Sequence, residues 1–396
     1  MATLMQAVER LRGAGLLPFS GPVSVRDLDQ RFPPSPRGSV RALLWSMFGQ
    51  VAQRAPWAVI LCRFRGEAAN PAVETPTEQL YRGAFTPGTG GFVEYWRDVS
   101  LGMIDIRGSR VFGWLEADIA RAAANVGSGA TRSTLIDAAI RGAQRDGFDP
   151  LTGFHSQIAV YTENWSVAGV PAGLDWSDPT WGQFWIDGSA DGRGKVCLTP
   201  PHDGNICAHE MGHGFGMNHD LGADLMTDYS DPCCILSQNN AFVHPGWMVA
   251  FGPALCLPHM VQKGWMYARR LYYDDGAWQS QPEGIALPLS PVTDPGARAN
   301  LGIRLAYSRD GASWDYYLEY VKPEDWNQGL SGAFVFVRRI APHPAYGDTP
   351  AYLGSIAVPA ALGTTATFVE PAGNVRFEVE RFDADGRVLR VRATRL

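Results

Sequence analysis

The run Ala208-His209-Glu210-Met211-Gly212-His213-Gly214-Phe215-Gly216-Met217-Asn218-His219-Asp220 decides how the rest of this 396-residue chain is read. On a helix, residues four apart share a face about 6 Å apart along the axis, so the imidazoles of His209 and His213 converge on one ion. Glu210 is turned roughly 100° from His209, so its carboxylate stands beside the ion as a general base rather than joining the ligands. The helix must then end and the chain reverse for His219 to return as third ligand. A residue without Cβ adopts the required positive φ at least cost, which gives Gly216 its task. Three imidazoles and an open fourth position form a catalytic zinc set. At this chain's His, Glu and Gly frequencies the full pattern arises by chance on the order of once in fifty thousand such chains.

Outward from the motif, 57–64 reads as a buried strand, an apolar run ending at Gly66. Helical patterns follow at 77–85 and 92–99, then strand-like 103–106 and 111–114. Residues 131–145 carry the stripe Leu135, Ile136, Ala139, Ile140 and Ala143, ended by Gly147. Strands are expected at 154–161, 181–186 and 195–198. Beyond Arg269 the character changes: 284–289, 301–307, 314–321, 332–340, 375–382 and 388–394 are strand-like, with Gly, Pro, Asn or Asp between them. The expectation is an α+β catalytic domain with a mixed sheet and an active-site helix over 56–268, followed by a C-terminal β-sandwich over 269–396. Residues 1–55 read as an N-terminal helical segment: a pro-segment, an extra lobe or part of the catalytic domain.

A net charge of −6, with basic residues scattered among acids, argues against nucleic-acid binding. The most apolar stretch, 241–261, is broken by Pro245, Pro253 and Pro258, short of the roughly 20 continuous apolar residues a membrane span needs. Glu9, Arg10 and Arg12 stand where a signal peptide would carry its apolar core, so no conventional export signal is read. The six cysteines form no C-x-x-C pair, and both disulfides and buried free thiols remain open.

The histidine run resembles the zinc motif of the metzincin peptidases, and Gly216-Met-Asn-His219-Asp220 is especially similar to its reprolysin form. The wider chain resembles the gametolysin-like peptidases in its strand at 59–64, in the Trp96…Ser100-Leu-Gly…Ile104…Ile106…Gly113-Trp114 stretch and in Lys263-Gly264-Trp265. The strong match covers the motif alone. The resemblance implies a zinc endopeptidase acting on proteins or peptides outside the cell, with His209, His213 and His219 as ligands and Glu210 as base. It also implies a methionine turn beneath the metal. The corresponding segment is 228–237, with Leu236 in the methionine position, a departure from the family; Met226 is the alternative. By the same resemblance Cys234 would brace the site through a disulfide, and Tyr229 is an auxiliary candidate although its spacing differs from the family's. Asp187, Asp191 and Asp203, in Gly-rich surroundings, are candidates for structural calcium. His155, His202, His244, His259 and His343 lack ligand spacing and read as structural or exposed. The competing function is a non-catalytic binding protein that keeps a degenerate peptidase scaffold and recognises its partner through the C-terminal strands. Oligomeric state has no signal.

Overall fold

The computed structural model describes residues 52–124, 132–162, 194–200, 202–294, 296–297, 299–343 and 347–396. The expected N-terminal helices, the strand at 181–186, Asp187 and Asp191 lie outside these residues. No described helix is long and apolar enough to cross a membrane.

The first half is built on β2 (Trp57–Arg63), which the sequence WAVILCR makes a central strand. Its continuous apolar run suits a strand covered on both faces. Trp57, Val59 and Leu61 enter one core cluster and Ala58, Ile60 and Cys62 the other, the two-residue alternation of a strand. β2 pairs in parallel with β4 (Arg110–Glu116) and β5 (Ser156–Tyr161), and β5 with β6 (Val196–Leu198), giving the order β4-β2-β5-β6. The mixed sheet expected from sequence is therefore parallel throughout its described strands. A short parallel pair, β1 (Gln53–Arg54) with β3 (Ile104–Asp105), adjoins it.

Helices cover both faces. α3 (Arg132–Arg145) lays the predicted stripe of Leu135, Ile136, Ala139, Ile140 and Ala143 on one face. α2 (Phe92–Val99) and α4 (Gly204–Gly214) pack on the other. α1 (Pro71–Ala84) begins at Pro71 rather than at Thr77. Proline at the first helical position has no amide to leave unsatisfied, which makes it a helix start; Pro76 lies inside the same helix. α5 (Leu257–Gln262) falls at the end of the proline-interrupted apolar stretch, with Pro258 in its first turn.

A short antiparallel pair, β7 (Phe242–Val243) with β8 (Ala250–Phe251), precedes the two sheets that make up the C-terminal half. One runs β14 (Gly347–Ala357), β13 (Phe334–His343), β12 (Ala312–Val321), β11 (Gly302–Arg309) and β9 (Leu271–Asp274), antiparallel except for β9 against β11. The other runs β10 (Ile285–Leu289), β17 (Leu389–Arg395), β16 (Val375–Arg381) and β15 (Thr365–Val369), antiparallel throughout. A single core cluster draws on both, for example Tyr316 of β12 against Phe377 of β16 with ring centroids 5.4 Å apart. The opposite face of β12 and β13 joins the first half: Tyr317, Val321 and Phe336 belong to the same cluster as α2 and α4. The chain is thus of mixed α and β structure, with few helices, several sheets and a core continuous from one half to the other.

Candidate metal centre

α4 enters from β6 and buries almost every side chain, His209, Glu210 and His213 included. It closes with two hydrogen bonds that define its end: Gly216 N–H donates to His213 O at 2.7 Å and Met217 N–H to Gly212 O at 3.1 Å. This is a Schellman cap, with Gly216 at φ +75° in the left-handed position assigned to it. Lys263 Nζ, held down to about 8 by burial, donates to the Gly216 carbonyl at 2.6 Å and secures the reversal. His219 then returns beside the helix.

The ligand-type nitrogens of His209, His213 and His219 all lie within 4.8 Å of one another, and all three residues are buried. Their Nδ1 atoms are engaged elsewhere. His209 Nδ1 lies 2.9 Å from Ile235 O and His213 Nδ1 2.8 Å from Met217 O. A carbonyl only accepts, so both rings carry their proton on Nδ1 and present Nε2 as a lone pair. His219 Nδ1 faces Asp228 Oδ2 at 3.6 Å. A carbonyl or carboxylate behind each ring is the usual outer support of metal-binding histidines. The Nε2 atoms of His209 and His213 are 3.0 Å apart, near the edge of about 3.3 Å that two ligands at 2.0–2.1 Å make on a tetrahedral ion. Burial, then the neighbouring His213 and His219, pushes His209 well below its ordinary value, which keeps it neutral as a ligand must be. The donor set fits a divalent metal.

The wall beside His219 is made by a turn that Asp224 organises. Its carboxylate accepts from the Thr227 hydroxyl, and from Met226 N at 3.0 Å and Thr227 N at 2.9 Å, which together pull its own ionisation down to about 2. The chain therefore doubles back, Tyr229 N–H donates to Asp220 O, and Asp228 and Tyr229 come alongside His219. Tyr229 lies at φ +59°, an uncommon conformation for a bulky residue. Its hydroxyl stands 2.9 Å from His219 Nε2, and its side chain is 42% exposed. Sequence spacing had left Tyr229 auxiliary; the fold brings it to the ligand atom itself.

Leu236 is fully buried beneath the helix, where a Cβ built on Gly212 would meet its Cδ2 at 3.2 Å. Met226 is 81% exposed and takes no part. Leu236 therefore occupies the floor, and the preceding residue, Ile235, supplies the carbonyl that holds His209. All six cysteines are buried free thiols, so the disulfide expected at Cys234 is not formed. Asp203 caps no calcium cluster: its Oδ1 accepts from Ala250 N at 3.0 Å, and it belongs to neither metal-capable group among the described residues.

Several supporting residues had no sequence signal. Thr349 Oγ1 on β14 donates to His219 O at 2.7 Å, while Leu221 N–H donates to Pro350 O and Tyr352 N–H to Leu221 O. β14 thus continues its hydrogen bonding onto the segment that follows the third histidine. Arg338 of β13, fully buried, pairs with Asp231 and with Glu319 of β12, and its Nη2 donates to Cys233 O at 3.1 Å. Asp231 and Cys233 lead directly into Leu236, so the C-terminal sheet anchors the floor. No family model matches this chain, and no curated protein matches it.

Proposed function

We propose that the chain is a zinc-dependent endopeptidase of the metzincin type, whose two C-terminal sheets form a β-sandwich that supports the site. The observation that carries this reading is the convergence of a ligand-type nitrogen from each of His209, His213 and His219, the first two held from behind by carbonyls, beside a helix that also presents Glu210. His209, His213 and His219 would hold the zinc. When bound, zinc supplies a Lewis acid for the scissile carbonyl and lowers the pKa of water at the open position.

The rest falls to the protein. Glu210, turned about 100° from His209 on the same helix, takes the proton of the attacking water and returns it to the leaving amine. Tyr229, with its hydroxyl beside His219 Nε2, donates a hydrogen bond to the oxyanion that develops on the carbonyl. The rings of His209 and His219 lie against the Tyr229 ring, with centroids 5.9 and 4.3 Å away, and fix its direction. Substrates are proteins or peptides, and action outside the cell follows from the same resemblance.

Glu210→Gln tests the reading. The variant should retain its zinc, measured by elemental analysis, and lose casein or peptide hydrolysis by at least about a hundredfold, the lower range for a general base. Undiminished hydrolysis by the variant refutes the role of Glu210. A zinc-loaded wild-type chain that cleaves nothing favours the non-catalytic scaffold.

A further inference from the structure

Behind the histidine triad lies a second group that takes no part in the chemistry above. Asp220, Cys234, Cys256 and His259 are buried, and their ligand-type atoms all lie within 4.8 Å of one another. Three segments supply them. Asp220 follows His219, Cys234 precedes the Ile235 whose carbonyl holds His209, and Cys256 and His259 open α5. Cys256 at the start of that helix and His259 three residues later fall on one face.

We propose that these four residues form a second, closed zinc site that braces the floor of the histidine centre. The proposal stands independently of hydrolysis at that centre. Its first support is the donor set: two thiols, an imidazole and a carboxylate are four protein ligands for a tetrahedral zinc, which leaves no position for substrate and makes the site structural.

Spacing is the second. Zinc bonds of 2.0–2.1 Å to nitrogen or oxygen and 2.3 Å to sulfur give tetrahedral edges of about 3.3 Å between N and O and about 3.6 Å between S and O. His259 Nε2 lies 3.0 Å from Asp220 Oδ1, and Cys256 Sγ lies 3.7 Å from the same oxygen. The third support is His259 itself, which is 1% exposed and makes no hydrogen bond at Nδ1, while its Nε2 stands 3.0 Å from an Asp220 oxygen that also faces the Cys256 thiol. Burying an imidazole, a carboxylate and two thiols together is costly, and coordination offsets that cost. Zinc entry displaces one proton from each thiol. The site then carries one negative charge.

Cobalt(II) exchange into the full-length chain separates the two centres, because only a thiolate ligand gives a sulfur-to-cobalt charge-transfer band in the near ultraviolet. The wild-type chain should hold two zinc ions by elemental analysis and show the band after exchange. His213→Ala should lose one metal and keep the band. His259→Ala and Cys256→Ser should lose the band, and the wild-type and His213→Ala spectra stand as readouts should either variant fail to fold. If the histidine triad binds nothing, one zinc with the thiolate band remains, which supports this site and sinks the peptidase reading. A wild-type chain without the band overturns the proposal. So does a Cys234–Cys256 disulfide, found by peptide mapping of the chain alkylated under denaturing conditions without reductant, since it would then occupy the position.

Discussion

Gly216→Ala tests how the helix end assembles the histidine centre. Gly216 sits at φ +75° between His213 and His219, and alanine in the left-handed region costs about 1–2 kcal/mol. The chain holds its own control. Gly147 ends α3 with the same pair of hydrogen bonds, Gly147 N–H to Gln144 O and Phe148 N–H to Ala143 O, at φ +85° with nothing within 4 Å of an added Cβ. Gly147→Ala therefore carries the same backbone cost, far from any ligand in sequence. With zinc saturating, denaturant unfolding should show both variants destabilised by about 1–2 kcal/mol. They should part in zinc affinity, measured by competition with a chromophoric chelator. Gly147→Ala should bind as wild type does. In Gly216→Ala the metal-free chain relieves part of the strain by letting His219 move, and binding restores it, so affinity should fall by up to about five- to thirtyfold, the equivalent of 1–2 kcal/mol. A Gly216→Ala protein that matches wild type both in zinc affinity and in zinc-saturated unfolding refutes the reasoning.

Three further outcomes follow from the same structure. Leu236→Met should keep zinc and hydrolysis with a stability change under about 1.5 kcal/mol, since the two side chains have similar volume; zinc loss on elemental analysis would show that the floor reads shape more finely. Arg338→Ala leaves Asp231 and Glu319 as uncompensated buried charges and should cost about 3–5 kcal/mol in denaturant unfolding; a change under about 1 kcal/mol would count against the anchoring role. Burial lowers His202 to about 4 from an ordinary 6.5. Its neutral form therefore favours the fold fully above pH 6.5, and that contribution is lost as pH falls through 6.5 towards 4. His202→Gln should gain on wild type across that window by up to about 3 kcal/mol; parallel stability curves would exclude it.

The sequence carried what depends on short-range spacing. The helix face of His209 and His213, the reversal at Gly216 and the stripe of α3 are local patterns, and each lies where its period places it. Leu236 was found by distance from the third histidine, and the buried floor position agrees. Tyr229 was weighed only by spacing, which says nothing of a turn held by the Asp224 carboxylate. Thr349, Arg338 and Glu319 were beyond reach because they meet the site through strand pairing across long stretches of chain. His259 lacks ligand spacing in the sequence because Asp220 and Cys234, which the fold brings beside it, come from other segments. The helix read at 77–85 begins at Pro71 instead, where a proline at the first helical position opens it.

The hydrogen bonds from β14 to the chain just past His219, together with the guanidinium clamp on Asp231, give the C-terminal strands a share in the site's architecture. Cutting the protein near residue 268 would strip the centre of one wall and leave Asp231 without its counter-charge. Anyone trimming the molecule to its first half, or grafting its C-terminal strands onto another protein, would be dividing one folding unit rather than detaching an accessory.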